Sequence, residues 1–125
     1  MNPEAELLAR EPLFHVAGSA STCHHHSAEI TEDFWEVGAS GSVYTRDEVL
    51  EVLWARGKVQ GDETWIVSEP GCRQLAEDTF ALTYLLDQNG RLTRRLTLWR
   101  RDHTGWRALY HQGTLVQPLQ QERAQ

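Results

Sequence analysis

An α+β fold, in which a curved antiparallel or mixed sheet wraps around N-terminal helices, is predicted by three features of the sequence. Helix signals are confined to the first half of the chain. From Thr64 onward the pattern turns to β, in four long stretches. Two tight-turn signals, Asn89-Gly90 and Asp102-His103-Thr104-Gly105, join the last three of those stretches as consecutive hairpins. With 125 residues, 40% of them hydrophobic, the chain fits one core rather than two. A single domain is therefore expected over 1–125, with its core at about 3–117 and a tail at 118–125 outside it.

Asn2-Pro3 opens the first helix, because Asn caps and Pro suits the first helical position, and Glu4 and Glu6 face the positive end of the helix dipole. The spacing predicts a helix over Pro3–His15 that kinks or ends near Glu11, since Pro12 cannot sit in a regular interior. Ala17–Thr22 is small and polar and reads as a loop, leading to a short helical stretch at His24–Glu32. Asp33–Gly38 is a strand, and the Gly38-Ala39-Ser40-Gly41 turn returns it to a short partner at Ser42–Tyr44. Thr45-Arg46-Asp47-Glu48 is a capping box, so a helix follows it, with Val49, Leu50, Val52 and Leu53 toward one side and a stop at Gly57. The long strands are expected at Thr64–Ala76 with a bulge at Pro70-Gly71, then Thr79–Asp87, Leu92–Arg101 and Trp106–Val116.

Pairing these strands through the two turns sorts their side chains. Through Asn89-Gly90, Phe80 faces Trp99, Leu82 faces Thr97 and Tyr84 faces Arg95. Through the second turn, Trp99 faces Ala108, Thr97 faces Tyr110 and Arg95 faces Gln112. One face then carries Tyr84, Arg95, Thr97, Trp99, Tyr110 and Gln112, and the other carries Leu85, Leu96, Leu98, Leu109 and His111. Both are too apolar to face water, which predicts that one covers the helices and the other meets a second subunit in a homodimer.

Twelve basic residues against eighteen acidic ones give a net charge of −6, which argues against nucleic-acid or anionic-membrane partners. No apolar run is long enough to span a bilayer and no leader pattern stands at the N-terminus, so a cytoplasmic location is expected. Cys23 and Cys72 are far apart and form neither a disulfide framework nor a zinc knuckle. His24-His25-His26 invites a metal reading, yet consecutive residues cannot easily aim three rings at one ion, and a solvated loop is expected instead. No triad order, phosphate loop or paired-histidine helix stands out, and no cofactor or metal is called for.

The order of elements, with Glu11-Pro12-Leu13-Phe14-His15, the Asp33–Gly41 strand and turn, Leu98-Trp99-Arg100-Arg101 and Tyr110-His111-Gln112-Gly113-Thr114, resembles the SnoaL-like, nuclear-transport-factor-2-like superfamily. The nearest branch is a bacterial domain of unknown function, and the likeness runs from Leu7 to Val116. It implies a cone-shaped, cystatin-like α+β barrel, usually dimeric, with a cavity between helices and sheet. Its members include isomerases, cyclases, dehydratases, hydrolases and non-catalytic binding or scaffolding modules, so the fold does not choose among them. Set against the ketosteroid isomerase pattern in that superfamily, the resemblance places Gly38 at the catalytic base and Thr97 at the protonated acid. Glycine accepts no proton, and that machinery is not expected here. The same resemblance sends Thr97, Trp99, Tyr110 and Gln112 into the cone.

Three residues are candidate proton carriers: His111 in the last strand, His15 near the end of the first helix, and Glu36, the nearest carboxylate to the vacant base position. Trp35, Tyr84, Arg95, Thr97, Trp99, Tyr110 and Gln112 are the candidate ligand contacts. Arg95 suits a substrate carboxylate or enolate, or pairs with an acidic residue of the protein. The expected function is a small dimeric protein that binds an apolar or amphipathic small molecule in an interior pocket. The alternatives are a cofactor-independent isomerase, cyclase or dehydratase, and a protein-interaction scaffold.

Overall fold

Asn89 and Gly90 both hold left-handed backbone, at φ 55° and 92°, the twist that closes a two-residue hairpin. They join β4 (Thr79–Gln88) to β5 (Arg91–Asp102), and Asp87 accepts the Gly90 N–H at 2.7 Å. Nothing lies within 4 Å of where a Gly90 Cβ would stand. Gly90→Ala is therefore expected to cost only the backbone penalty, about 1–2 kcal/mol, seen as a lower Tm with an unchanged circular dichroism spectrum. At the next turn Asp102 accepts the Thr104 N–H at 2.8 Å, and Gly105, at φ 128°, begins β6 (Gly105–Leu115).

The computed structural model describes residues 2–12, 28–57 and 65–117, without the side chains of 54–57. Besides β4–β6 it contains α1 (Glu4–Leu8), β1 (Ile30–Val37), β2 (Val43–Thr45), α2 (Arg46–Gly57) and β3 (Trp65–Ala76). One six-stranded sheet runs β2-β1-β6-β5-β4-β3, antiparallel except where β1 lies parallel to β6. The expected α+β architecture with a mixed, curved sheet is the one observed. The β3 register shifts between Ser68 and Gly71, where Glu69 takes φ 52°, which is the bulge expected at Pro70-Gly71.

The capping box forms as its residues require. The Thr45 N–H donates to Glu48 at 2.9 Å and the Glu48 N–H to Thr45 Oγ1 at 3.2 Å. Arg46 then donates from Nε to the Thr31 carbonyl at 3.0 Å and ties the start of α2 to β1. Two expectations need correction. The first helix keeps α geometry only to Leu8; the Arg10 and Glu11 N–H groups bond three residues back, to Leu7 and Leu8, as the chain tightens ahead of Pro12. The helix expected over His24–Glu32 does not reach its end, because β1 begins at Ile30, where Ile30-Thr31 favours extended backbone. The earlier part of that stretch, the Ala17–Thr22 loop, Cys23, the three consecutive histidines and His15 lie outside the described residues.

The core sits between the helices and the concave face of the sheet. Leu7, Ile30, Phe34, Val49 and Leu53 meet Phe80, Leu82, Leu86, Trp99 and Trp106 there, and Phe80 packs edge-on against Trp106 with ring centroids 5.6 Å apart. The β4–β5 register is the one deduced from Asn89-Gly90, with Phe80, Leu82 and Tyr84 opposite Trp99, Thr97 and Arg95. The β5–β6 register starts as deduced, with Trp99 opposite Ala108, and then slips. Leu98 pairs with Tyr110 and Thr97 with His111, which leaves Leu109 as an extra residue in β6. Beyond this bulge every β6 side chain changes face.

Candidate functional site

Leu7 and Glu11 are four residues apart and share the inward side of the first segment, where both are fully buried. A carboxyl group thus enters the core from the end of α1, and its partners come from three consecutive strands. Oε1 of Glu11 accepts from the Tyr84 hydroxyl and, at 3.0 Å, from Thr97 Oγ1; Oε2 accepts from Trp99 Nε1 at 2.7 Å. His111 Nδ1 stands 2.8 Å from Thr97 Oγ1 and 3.9 Å from Glu11 Oε1, and it too is fully buried. Burial pushes the Glu11 pKa up to about 7 against the pull of the Tyr84, Trp99 and Thr97 hydrogen bonds and of the Arg95 charge. The Tyr84 hydroxyl is held far above its ordinary value by its burial and by Glu11.

Donor counting couples Glu11 to His111. Trp99 can only donate, so Oε2 is an acceptor, while Thr97 has one hydroxyl hydrogen to place. When Glu11 is ionised that hydrogen goes to Oε1, and His111 Nδ1 must carry a hydrogen to bond Thr97. When Oε1 carries the proton and donates it to Thr97, the hydroxyl turns to Nδ1 and His111 holds its hydrogen on Nε2. Long-range ¹H–¹⁵N spectra are expected to show the His111 tautomer changing near pH 7, in step with Glu11. Thr97→Val should abolish that coupling.

Beside this cluster, toward β2 and α2, lies a cavity of about 220 Å³. Val49, Val52 and Leu53 of α2 form one wall; Glu36, Tyr44 and Arg95 form the other, with Arg91 also lining it. Arg95 is only 9% exposed, and its Nε donates to Thr93 Oγ1 at 2.9 Å. Gly38 also lines the cavity, and a Cβ there would stand 3.1 Å from the Tyr44 ring. The tyrosine ring thus packs against the position where the resemblance would put a catalytic base.

The candidate residues separate by face. Tyr84, Arg95, Thr97 and Trp99 lie on the inner face, where the register deduced from Asn89-Gly90 puts them. Glu36 follows Phe34 on the inner side of β1 and lines the cavity. Tyr110 and Gln112 do not enter the cone: the Leu109 bulge turns them outward, where the Tyr110 hydroxyl donates to Gln112 Oε1. The same bulge turns His111 inward, off the aliphatic face expected for it. Trp35 is also outside the cavity; it is 49% exposed and its ring packs tilted at 47° against Tyr110, with centroids 4.6 Å apart. Sequence reasoning missed Glu11, although its spacing from Leu7 and its place before Pro12 were available signals. Among the described residues, no group of three or more His, Cys, Asp or Glu could hold a metal ion, and no helix is long and apolar enough to cross a membrane.

No protein-family model and no curated protein matches the sequence. Solved structures do match the fold. An NTF2-like protein from Cytophaga hutchinsonii superposes with a TM-score of 0.72 at 17% identity, covering 93% of this chain and 100% of its own. An NTF-2-like protein of unknown function from Pseudomonas aeruginosa gives 0.69 at 17% identity, covering 90% and 96%. An uncharacterized protein with a cystatin-like fold from Caulobacter vibrioides gives 0.67 at 15% identity, covering 96% and 92%. With helices against the inner face of a mixed six-stranded sheet, and with these structures as its neighbours, the chain has the nuclear-transport-factor-2-like fold.

Proposed function

We propose that the protein binds a small amphipathic molecule in its interior cavity. The carrying observation is the cavity's two-sidedness: Val49, Val52 and Leu53 offer an apolar wall opposite Glu36, Tyr44 and a largely buried Arg95. Apolar surface with a few convergent polar groups is the composition of small-molecule sites. At about 220 Å³ the cavity is smaller than the roughly 300–1,000 Å³ of a drug-sized site, which favours a compact metabolite. The working form of the protein is a homodimer built on the outer sheet face, where Trp35 and Tyr110 pack together beside half-buried Leu96 and Leu98. Native mass spectrometry of the untagged protein is the test. A dimer that retains a discrete small mass is the expected spectrum; a monomer would remove the dimer.

A second reading is favoured by one observation, the buried Glu11–Thr97–His111 chain beside a cavity that holds Glu36. These groups could move a proton for an isomerase, cyclase or dehydratase. A pH–rate profile with an inflection lost in His111→Ala or Glu36→Gln would favour this reading, and turnover unchanged in both variants would remove it.

A further inference from the structure

We propose that the cavity selects ligands that carry a carboxylate, with Arg95 as its binding group and Arg91 as the cation at the same wall. The inference rests on the reading that the cavity binds a small molecule, and it names the charge of that molecule. Arg91, Thr93 and Arg95 alternate along β5 and so share one side of the strand. Both arginines line the cavity, and Glu36 is the acidic side chain among its described lining residues. Two cations against one carboxylate leave the wall positively charged in a protein whose net charge is −6. A guanidinium held at a cavity wall offers an anionic ligand a charge and a donor fork that an apolar ligand cannot use.

The neighbouring backbone is shaped around this side chain. A Cβ at Gly113 would stand 2.5 Å from Arg95 Nη1 and 2.9 Å from Cζ, so only glycine leaves the guanidinium where it is. Thr93 accepts from Nε at 2.9 Å and fixes the plane of the group. A planar fork held from one edge is the geometry that meets a carboxylate in two parallel hydrogen bonds. The charge Arg95 shares with Glu11 is attenuated near neutral pH, where Glu11 takes up a proton. The Leu109 bulge is what brings Gly113 opposite Arg95. Without it Gln112 would occupy that position.

The test is a calorimetric titration of the full chain with hexanoate, hexanamide and inorganic phosphate, repeated on Arg95→Gln and Gly113→Ala after their folding has been checked by circular dichroism. Hexanoate is expected to bind at least tenfold more tightly than hexanamide. Both variants should lose that ratio while still binding the amide, since displacing Arg95 leaves the α2 wall intact. Equal binding of acid and amide to the wild type would overturn the carboxylate proposal and leave the pocket standing. Phosphate binding as tightly as hexanoate would replace it with plain anion binding. Failure of both hexanoate and hexanamide to bind would overturn the pocket reading, and this one with it.

Discussion

Glu11→Ala is expected to destabilise the protein by about 3–5 kcal/mol, the cost of removing one member of a fully buried polar cluster. The substitution takes away the acceptor used by Tyr84, Thr97 and Trp99 together, and it unties the end of α1 from β4 and β5. Glu11→Gln separates charge from hydrogen bonding. Its amide can turn its oxygen to Trp99 and its NH₂ to the two hydroxyls, so its stability should match that of the wild type at about pH 4.5, where the folded Glu11 carboxyl is protonated.

The pH dependence has a definite sign. The folded carboxyl is pushed up to about 7 from an ordinary value of 4.5, so between those values the folded state binds more protons than the unfolded one. Stability must then fall as pH rises from about 4.5 to about 7, by roughly 3 kcal/mol from this group alone. Urea unfolding followed across that range should show the slope in the wild type and not in Glu11→Gln. A wild-type profile rising through the same range would mean that Glu11 is ionised in the fold at all these values.

Deleting Leu109 is expected to keep the inner face of the sheet as it is. The deletion takes out the β6 residue that has no partner in β5, so Ala108 still faces Trp99, Tyr110 faces Leu98 and His111 faces Thr97, and His111 and Gly113 stay inward as the bulge closes. A loss of about 1–3 kcal/mol is expected, from the lost side chain and the lost local twist. Leu109→Ala removes a half-buried side chain but keeps the bulge, and should cost no more than about 2 kcal/mol. Denaturant midpoints for the two variants check this; a deletion that fails to fold would show that the twist of the bulge itself, and not only the pairing on either side of it, orders the interior.

That bulge marks where the sequence stopped being legible. Asn89-Gly90 specifies its own turn, because both residues take positive φ, and everything counted outward from it along β4 and β5 landed on the right face. Thr45 and Glu48 likewise announce α2, since the cap is local. Nothing local marks Leu109: it is a leucine in a strand of ordinary composition, and its extra place is set by how β6 meets both β5 and β1. Counting through it put His111 on the wrong face and Tyr110 and Gln112 inside. Glu11 was overlooked for a different reason. A charged residue beside a proline reads as a helix end in water, and only tertiary structure brings it the donors that make its burial tolerable.

The claim that the interior cavity takes a small amphipathic molecule is tested most directly by a methyl-resolved NMR titration of Val- and Leu-labelled protein with hexanoate. The account predicts saturable shifts at Val49, Val52 and Leu53, which form the apolar wall, with the exposed Leu75 and Leu115 unmoved. Cavity methyls that stay fixed while surface methyls move would contradict it.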